Sequence, residues 1–182
     1  LHYPLRRQRQ MCIRDRFISR LVVDWEAVAM HELPDEVRLV LLRSGVVVSP
    51  EGGIIPKIIN PIRFNMGVWF GTGKQLISWI HIQDLANAII HLLTHPHAKG
   101  PFNLVAPKPL KQRKLVKKIA KQMKRLAWIS IPTFLIRWFY GAMGREILLS
   151  GQNVDSSKLQ DSGFLFTFPT IESAIEDIVS SA

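Results

Sequence analysis

Arg38-Leu-Val-Leu-Leu-Arg-Ser-Gly-Val-Val-Val48 is a nearly continuous apolar run between the turn residues Pro34-Asp35 and Gly52-Gly53. A strand with one wet face alternates apolar and polar residues, whereas a strand covered on both faces does not. The run therefore predicts an interior strand of a parallel sheet. Upstream, Leu21, Val22, Trp25, Val28 and Ala29 recur at helical spacing with Asp24 and Glu26 off that stripe, which predicts the end of a helix. Downstream, the spacing predicts a short strand over Ile77–Ile82 and a helix over Asp84–Thr94, closed by Pro96 and Gly100. Phe102–Val105 follows as a further strand. A helix runs from about Leu110 to Arg125, with Leu115, Val116, Ile119 and Met123 as its apolar stripe. The segment from Ile54 to Phe64 is broken by Pro56 and Pro61, and Gly71-Thr-Gly73 makes a turn. Strands and helices alternating in this way give an α/β class with a parallel sheet.

From Ser130 the texture changes to short helical pieces without clear strands, at Thr133–Ala142, Glu146–Gly151, Ser156–Asp161 and Thr170–Ser180. In the last of these Thr170 can cap the N-terminus, and Ile171, Ala174, Ile175 and Ile178 follow the helical repeat. The chain divides accordingly into residues 1–16, an Arg-rich stretch without periodicity, residues 17–128, an α/β part, and residues 129–182, a small helical module. Gln10-Met-Cys-Ile-Arg-Asp-Arg16 reads as translated adapter sequence joined to a gene, with an Arg-rich targeting or nucleic-acid arm as the alternative.

With 182 residues, 47% hydrophobic and 21% charged, the chain belongs with globular proteins. The longest apolar stretch, Ile129–Tyr140, contains Pro132 and Arg137 and is shorter than the roughly 20 residues that span a bilayer. A single cysteine, Cys12, cannot form an internal disulfide, which points to a reducing cytoplasm. The net charge of +10 is concentrated in residues 1–20, at +5, and in residues 108–125, at +9, leaving the rest at −4. The apolar stripe of the basic helix shows that one face packs. Its cations then read as a solvated face, with nucleic acid a disfavoured partner.

Several strings stand in one order: Asp24-Trp-Glu-Ala27, Leu42-Arg-Ser-Gly-Val-Val47, Pro50-Glu-Gly-Gly53, Gly71-Thr-Gly-Lys-Gln75, Ser78-Trp-Ile-His-Ile82 with Asp84-Leu85, Gly100-Pro-Phe-Asn103 with Ala106-Pro107, Leu148-Leu-Ser-Gly-Gln152, and Gly163-Phe164 with Pro169-Thr170. Together, from about Ile18 to Ile178, they resemble the C-terminal half of an atypical extended short-chain dehydrogenase/reductase of the NAD-dependent-epimerase-like kind. The last fifty residues look like the C-terminal domain of unknown function of that subfamily. The resemblance implies a partial Rossmann-like sheet plus a small helical module, NADP or NAD as cofactor of the complete protein, and a small-molecule substrate. The family's Gly-rich phosphate turn is absent from this sequence, so a fragment inactive alone and without a tightly bound cofactor is expected. A non-catalytic nucleotide-binding or regulatory protein of the same fold is the alternative.

The superfamily's Tyr-x-x-x-Lys pair is also absent: aligned on Glu26, its positions hold Ile18 and Val22, and no catalytic residue is assigned. The resemblance places the end of the 39–48 strand against the nicotinamide side of the cofactor, which makes Val47, Val46, Gly45 and Arg43 the candidate cofactor-facing residues. Val46 and Val47 are otherwise ordinary buried strand residues. Arg43, inside an apolar run, needs a partner, either a substrate oxygen or an acid such as Asp84, in a binding or a structural pair. Trp79 and His81 share one face of a short strand and are either a substrate-pocket wall or a core Trp with a hydrogen-bonded His.

Other signals fail on spacing. Gly67 precedes Gly73-Lys74 by one residue too many for a P-loop, and Gln75 stands where Ser or Thr is needed. His91, His95 and His97 lack an assured third metal ligand of adequate reach and read as a solvated helix end, so no metal site is expected. No Gly-x-Ser-x-Gly elbow occurs.

Overall fold

The computed structural model describes residues 16–34, 36–134 and 151–180. In chain order the elements are α1 (Arg16–His31), β1 (Val40–Ser44), β2 (Val46–Val48), α2 (Ile55–Arg63), β3 (Gly67–Phe70), β4 (Leu76–Ile77), β5 (Trp79–His81), α3 (Ile82–Thr94), β6 (Gly100–Leu104), β7 (Leu110–Lys111), α4 (Gln112–Gln122), β8 (Ala127–Ile131), α5 (Ser157–Asp161) and α6 (Ile171–Ser180). The helices expected at Thr133–Ala142 and Glu146–Gly151 lie almost wholly outside the described residues, as does the stretch 1–15.

The 38–48 run forms a parallel strand as expected, but in two pieces that each pair with one strand among the described residues rather than as an interior strand. β1 pairs parallel with β6, Val40 opposite Gly100 through Ser44 opposite Leu104. β2 pairs parallel with β5, Val46 opposite Trp79 and Val48 opposite His81. The change of partner falls at Gly45, whose N–H donates to Leu104 O at 3.1 Å, while Val46 N–H donates to Ser78 O at 2.8 Å. On the far side of β5, Ala106 N–H donates to Trp79 O at 2.6 Å. β5 thus wedges between two strands that splay apart. Only glycine fits at the fork: a Cβ on residue 45 would lie 2.6 Å from Ser78 O and 2.7 Å from Val105 Cγ1.

One expectation about this strand is corrected. It is not covered on both faces, because Leu42 (44% exposed) and Val46 (37%) stand open on one side. The helix upstream shows the same departure. Trp25 and Val28, on the stripe expected to pack, are 67% and 61% exposed, and Glu26, off that stripe, is the residue that meets the sheet.

A second layer is built from β3 and β8, paired in parallel, with α2 and α4 against them. Both strands and α2 escape the sequence reading. Pro56 stands in the first turn of α2, where a missing N–H costs nothing, and Pro61 stands in its last turn, so neither breaks it. β8 follows immediately on the basic helix, at the point where the sequence texture was read as turning helical.

Two apolar clusters hold the layers together. One gathers Ile55, Ile59 and Ile62 of α2, Trp69, Trp79, Leu115, Val116 and Ile119 of α4, and Ile171, Ala174, Ile175 and Ile178 of α6. The other joins Ile80, Ala88, Leu92, Phe102 and Leu104 to Leu159 of α5 and to Phe164. Residues 151–180 therefore contribute to both cores, with α6 on the stripe that the sequence marks.

Candidate functional site

A cleft of about 350 Å³ opens at the carboxyl end of β2, lined by Val47, Ser49, Glu51, Gly52, Gly53 and Ile82. Its wall is a reversal of the chain. Gly53, at φ +71°, folds back so that a bridge forms between Val48 and Gly53, and a Cβ on Gly53 would come within 3.2 Å of Val47 O. Glycine is required there because the left-handed conformation and the close approach both penalise a side chain. The other wall is Ile82, the first residue of α3. In open α/β sheets ligands bind in crevices outside the carboxyl ends of the strands. This cleft lies at the carboxyl end of β2, a few residues beyond the fork at Gly45.

Of the residues singled out from sequence, Val47 lines the cleft. Val46 is partly exposed on the open face of the strand, and Gly45 fills the fork. Arg43 points to α1, where its Nε donates to Glu26 Oε1 at 2.6 Å and its Nη2 meets Glu26 Oε2 in a two-toothed ion pair. The acid partner is therefore Glu26 and not Asp84. With the Arg43 side chain 34% and the Glu26 side chain 14% exposed, the pair is half sheltered and ties α1 to the sheet. The Lys158 ammonium is held below the ordinary lysine range by burial and then by Arg43. It donates to Lys99 O at 2.8 Å and Pro101 O at 2.9 Å and lies 4.1 Å over the Phe102 ring, which fastens α5 to the start of β6.

Trp79 and His81 do not border the cleft. Trp79 is fully buried, and its indole N–H donates to Lys108 O at 3.0 Å. His81 is 2% exposed and caps α3: its Nδ1 accepts the Gln83 N–H at 3.3 Å, which leaves the proton of the neutral ring on Nε2. Nε2 lies 3.2 Å from Asp177 Oδ2 of α6, close but out of line for a hydrogen bond, and the ring packs 3.9 Å from that of Phe168. His81 thus faces the C-terminal residues, while Trp79 lies in the apolar cluster shared by α2, α4 and α6.

Asp84, three residues into α3, carries the strongest polar link that sequence reasoning missed. It is completely buried, and its two carboxylate oxygens accept the N–H groups of Thr167 at 2.8 Å and Phe168 at 2.9 Å. An anion near a helix N-terminus is favoured by the dipole as well, so one carboxylate stabilises α3 and the turn before α6. Ser78 adds a second link, donating to Gln152 O at 2.9 Å and accepting from Val154 N–H at 3.0 Å. Among the described residues no group of three His, Cys, Asp or Glu side chains could hold a metal ion. His91 Nε2 instead lies 3.1 Å from the Ser162 carbonyl and hydroxyl oxygens.

The profile of the NAD dependent epimerase/dehydratase family matches residues 17–124, and that of a domain of unknown function, DUF1731, matches residues 131–178. An epimerase family protein of Staphylococcus aureus (strain MRSA252) is 35% identical over 164 residues, which are 90% of this chain and 54% of that protein. The human epimerase family protein SDR39U1 is 34% identical over 165 residues, 90% of this chain and 56% of the human one. The crystal structure of human SDR39U1 (isoform 2) with NADPH superposes at a TM-score of 0.85, with 32% identity, over 90% of this chain and 55% of that one. A UDP-N-acetylglucosamine 4-epimerase from Bacillus cereus shares the fold, at a TM-score of 0.64 and 14% identity, over 84% of this chain and 50% of its own. The chain thus spans about half the length of the relatives it matches.

Proposed function

The chain belongs to the NAD dependent epimerase/dehydratase family, and from that premise we propose that it forms the nicotinamide-facing and substrate-side half of an NAD(P)-dependent oxidoreductase or epimerase-like protein. The observation that carries the reading is the cleft at the carboxyl end of β2, beside the fork of the sheet. Val47 edges the nicotinamide there through its backbone, Val46 and Gly45 shape the strand that delivers it, and Arg43 acts as a positioning residue by fixing α1 through Glu26. NADP(H) is the favoured dinucleotide because the human relative is described with NADPH.

The fit to the whole cofactor is partial. The cleft offers an apolar wall and two glycines that let a flat ring approach the backbone, but no Gly-rich turn for the pyrophosphate occurs in the 182 residues. The chain alone therefore binds dinucleotide weakly and turns over no substrate. When bound, the nicotinamide supplies hydride chemistry; Glu51 and Ser49 are the polar side chains of this chain closest at hand to orient a hydroxylated substrate. Trp79 and His81 support the cleft from behind, by holding β5 and the start of α3 against the C-terminal residues.

A second reading has its own support. Ile18 and Val22, on α1, carry no titratable atom where the family's proton-transfer pair is expected, which favours a nucleotide-binding protein without that chemistry. Calorimetric titration of the full-length gene product with NADPH and NADH tests the leading reading: binding of NADPH is expected, and binding of neither contradicts it. Binding without turnover of any sugar nucleotide or hydroxyl substrate selects the second reading.

A further inference from the structure

Between residues 52 and 134 the chain carries thirteen Lys and Arg and a single acid, Asp84, which is buried and fully engaged. The cations are not spread evenly. α2 and α4 end side by side, at the edge of the β3–β8 layer where those two strands begin and outside the cleft's lining. Each closes with the same hydrogen-bonded reversal. Asn65 N–H donates to Ile62 O and Met66 N–H to Pro61 O; Lys124 N–H donates to Lys121 O and Arg125 N–H to Ala120 O. Asn65 at φ 59° and Lys124 at φ 53° occupy the left-handed position that glycine ordinarily takes. Asn65 repays its conformation by stitching the two tips together, its Oδ1 accepting from Leu126 N–H at 3.2 Å and its carbonyl from the Trp128 indole N–H at 3.1 Å. Among the described residues the Lys124 side chain makes no such link, and it stands exposed where glycine would be conformationally easier.

The joined tips present Phe64 (74% exposed), Met66 (46%), Leu126 (65%) and Trp128 (69%), with Lys121, Lys124 and Arg125 exposed around them. Four large apolar side chains at two adjoining tips, ringed by cations on a stretch of chain whose one acid, Asp84, is buried, suit one kind of surface. We propose that this double tip is a docking site for an anionic lipid bilayer, with Leu126, Phe64 and Met66 entering the acyl boundary, Trp128 at headgroup level and Lys121, Lys124 and Arg125 on lipid phosphates. A second copy is disfavoured, since a self-complementary contact would bring the cations of one tip against those of the other. Nucleic acid is the rival occupant, since Phe64 and Trp128 are aromatic, but Leu126 and Met66 present flexible apolar groups that offer a base neither a stacking face nor a hydrogen bond.

Co-sedimentation of the full chain with phosphatidylcholine vesicles, with and without phosphatidylserine, tests the proposal. The chain is expected to pellet with the phosphatidylserine vesicles and not with phosphatidylcholine alone. Binding should weaken about tenfold or more in the Lys124→Glu/Arg125→Glu variant, since each basic residue near an anionic surface contributes roughly a factor of five. Leu126→Ser, with a far-ultraviolet spectrum like that of the parent, should also release the protein. Failure to pellet, or equal pelleting of parent and variants, overturns the proposal. So does a DNA or RNA shift at physiological salt that the charge reversal abolishes while vesicle binding stays absent.

Discussion

The strand over residues 40–48 and the C-terminal residues 151–180 bury apolar surface in the same two cores but are held there by opposite means. The strand is fixed by backbone ladders on two successive partners, β6 and then β5. The C-terminal residues contribute no strand among those described and are held mainly through side chains: Asp84 on Thr167 and Phe168, Ser78 on Gln152 and Val154, Asn103 Nδ2 donating to Asp155 O at 2.9 Å and Lys158 on Lys99 and Pro101, beside one backbone bond from Gln152 N–H to Leu76 O. A ladder is local and tolerant of side-chain change on its open face. A fully buried carboxylate that accepts two half-sheltered backbone N–H groups is neither, because removing it takes the partner from both donors at once. The helical C-terminal stretch is therefore locked to the α/β part through side-chain contacts, among which the buried Asp84 serves two donors at once.

The largest expected effect breaks this lock. Asp84→Ala should lower unfolding free energy by about 3 kcal/mol, in a single transition shared by both parts, as urea denaturation followed by Trp fluorescence would show. Two separate transitions, with the sheet part unaffected, would mean that residues 151–180 form an independent unit. Next, Gly45→Ala tests the fork itself. A methyl 2.6 Å from a carbonyl must push β5 away from the strand, at about 2 kcal/mol, whereas alanine at Val46 on the open face should cost much less. A smaller effect, about 1 kcal/mol, is expected for the coupling of Arg43 with Glu26 in a double-mutant cycle, because the guanidinium is a third exposed and water screens the pair.

Least of all should follow from Glu172→Gln. The Lys118 hydrogen bond, with a backbone bond behind it, holds the Glu172 carboxyl below its ordinary value of 4.5. A carboxyl with a depressed folded-state pKa stabilises above the unfolded value and loses that contribution as pH falls through the folded one. At 56% exposure the contribution is a few tenths of a kcal/mol. It should fade as pH falls below the ordinary carboxylate range and through the lowered folded-state value, so parent and variant should converge in thermal midpoint in strongly acid solution.

The sequence makes the strand legible because composition alone encodes it: an apolar run of that length bounded by turn residues has few other readings. The helical repeat of Ile171, Ala174, Ile175 and Ile178 is legible for the same reason, and all four are buried. Periodicity does not say what a face packs against. The stripe through Trp25 and Val28 points away from the sheet, and Glu26 proves to be the anchor of α1. β8 was visible in principle, since Ala127-Trp-Ile-Ser-Ile131 alternates partly buried and exposed residues, but Trp and Ser on the open face mask the alternation. Asp84 could not be assigned from sequence, because its partners lie more than eighty residues away and are backbone groups that carry no residue signature.

The account rests most heavily on the cleft beside Val47. Its most direct test is the affinity of the full-length gene product for NADPH with Val47→Trp, a substitution that fills the cleft from its own wall, against Val46→Trp on the open face of the same strand. Loss of tenfold or more in affinity for the first, with little change for the second and unaltered thermal midpoints, is the predicted result. Equal affinity in the parent and the Val47→Trp variant would contradict it and place the nicotinamide elsewhere.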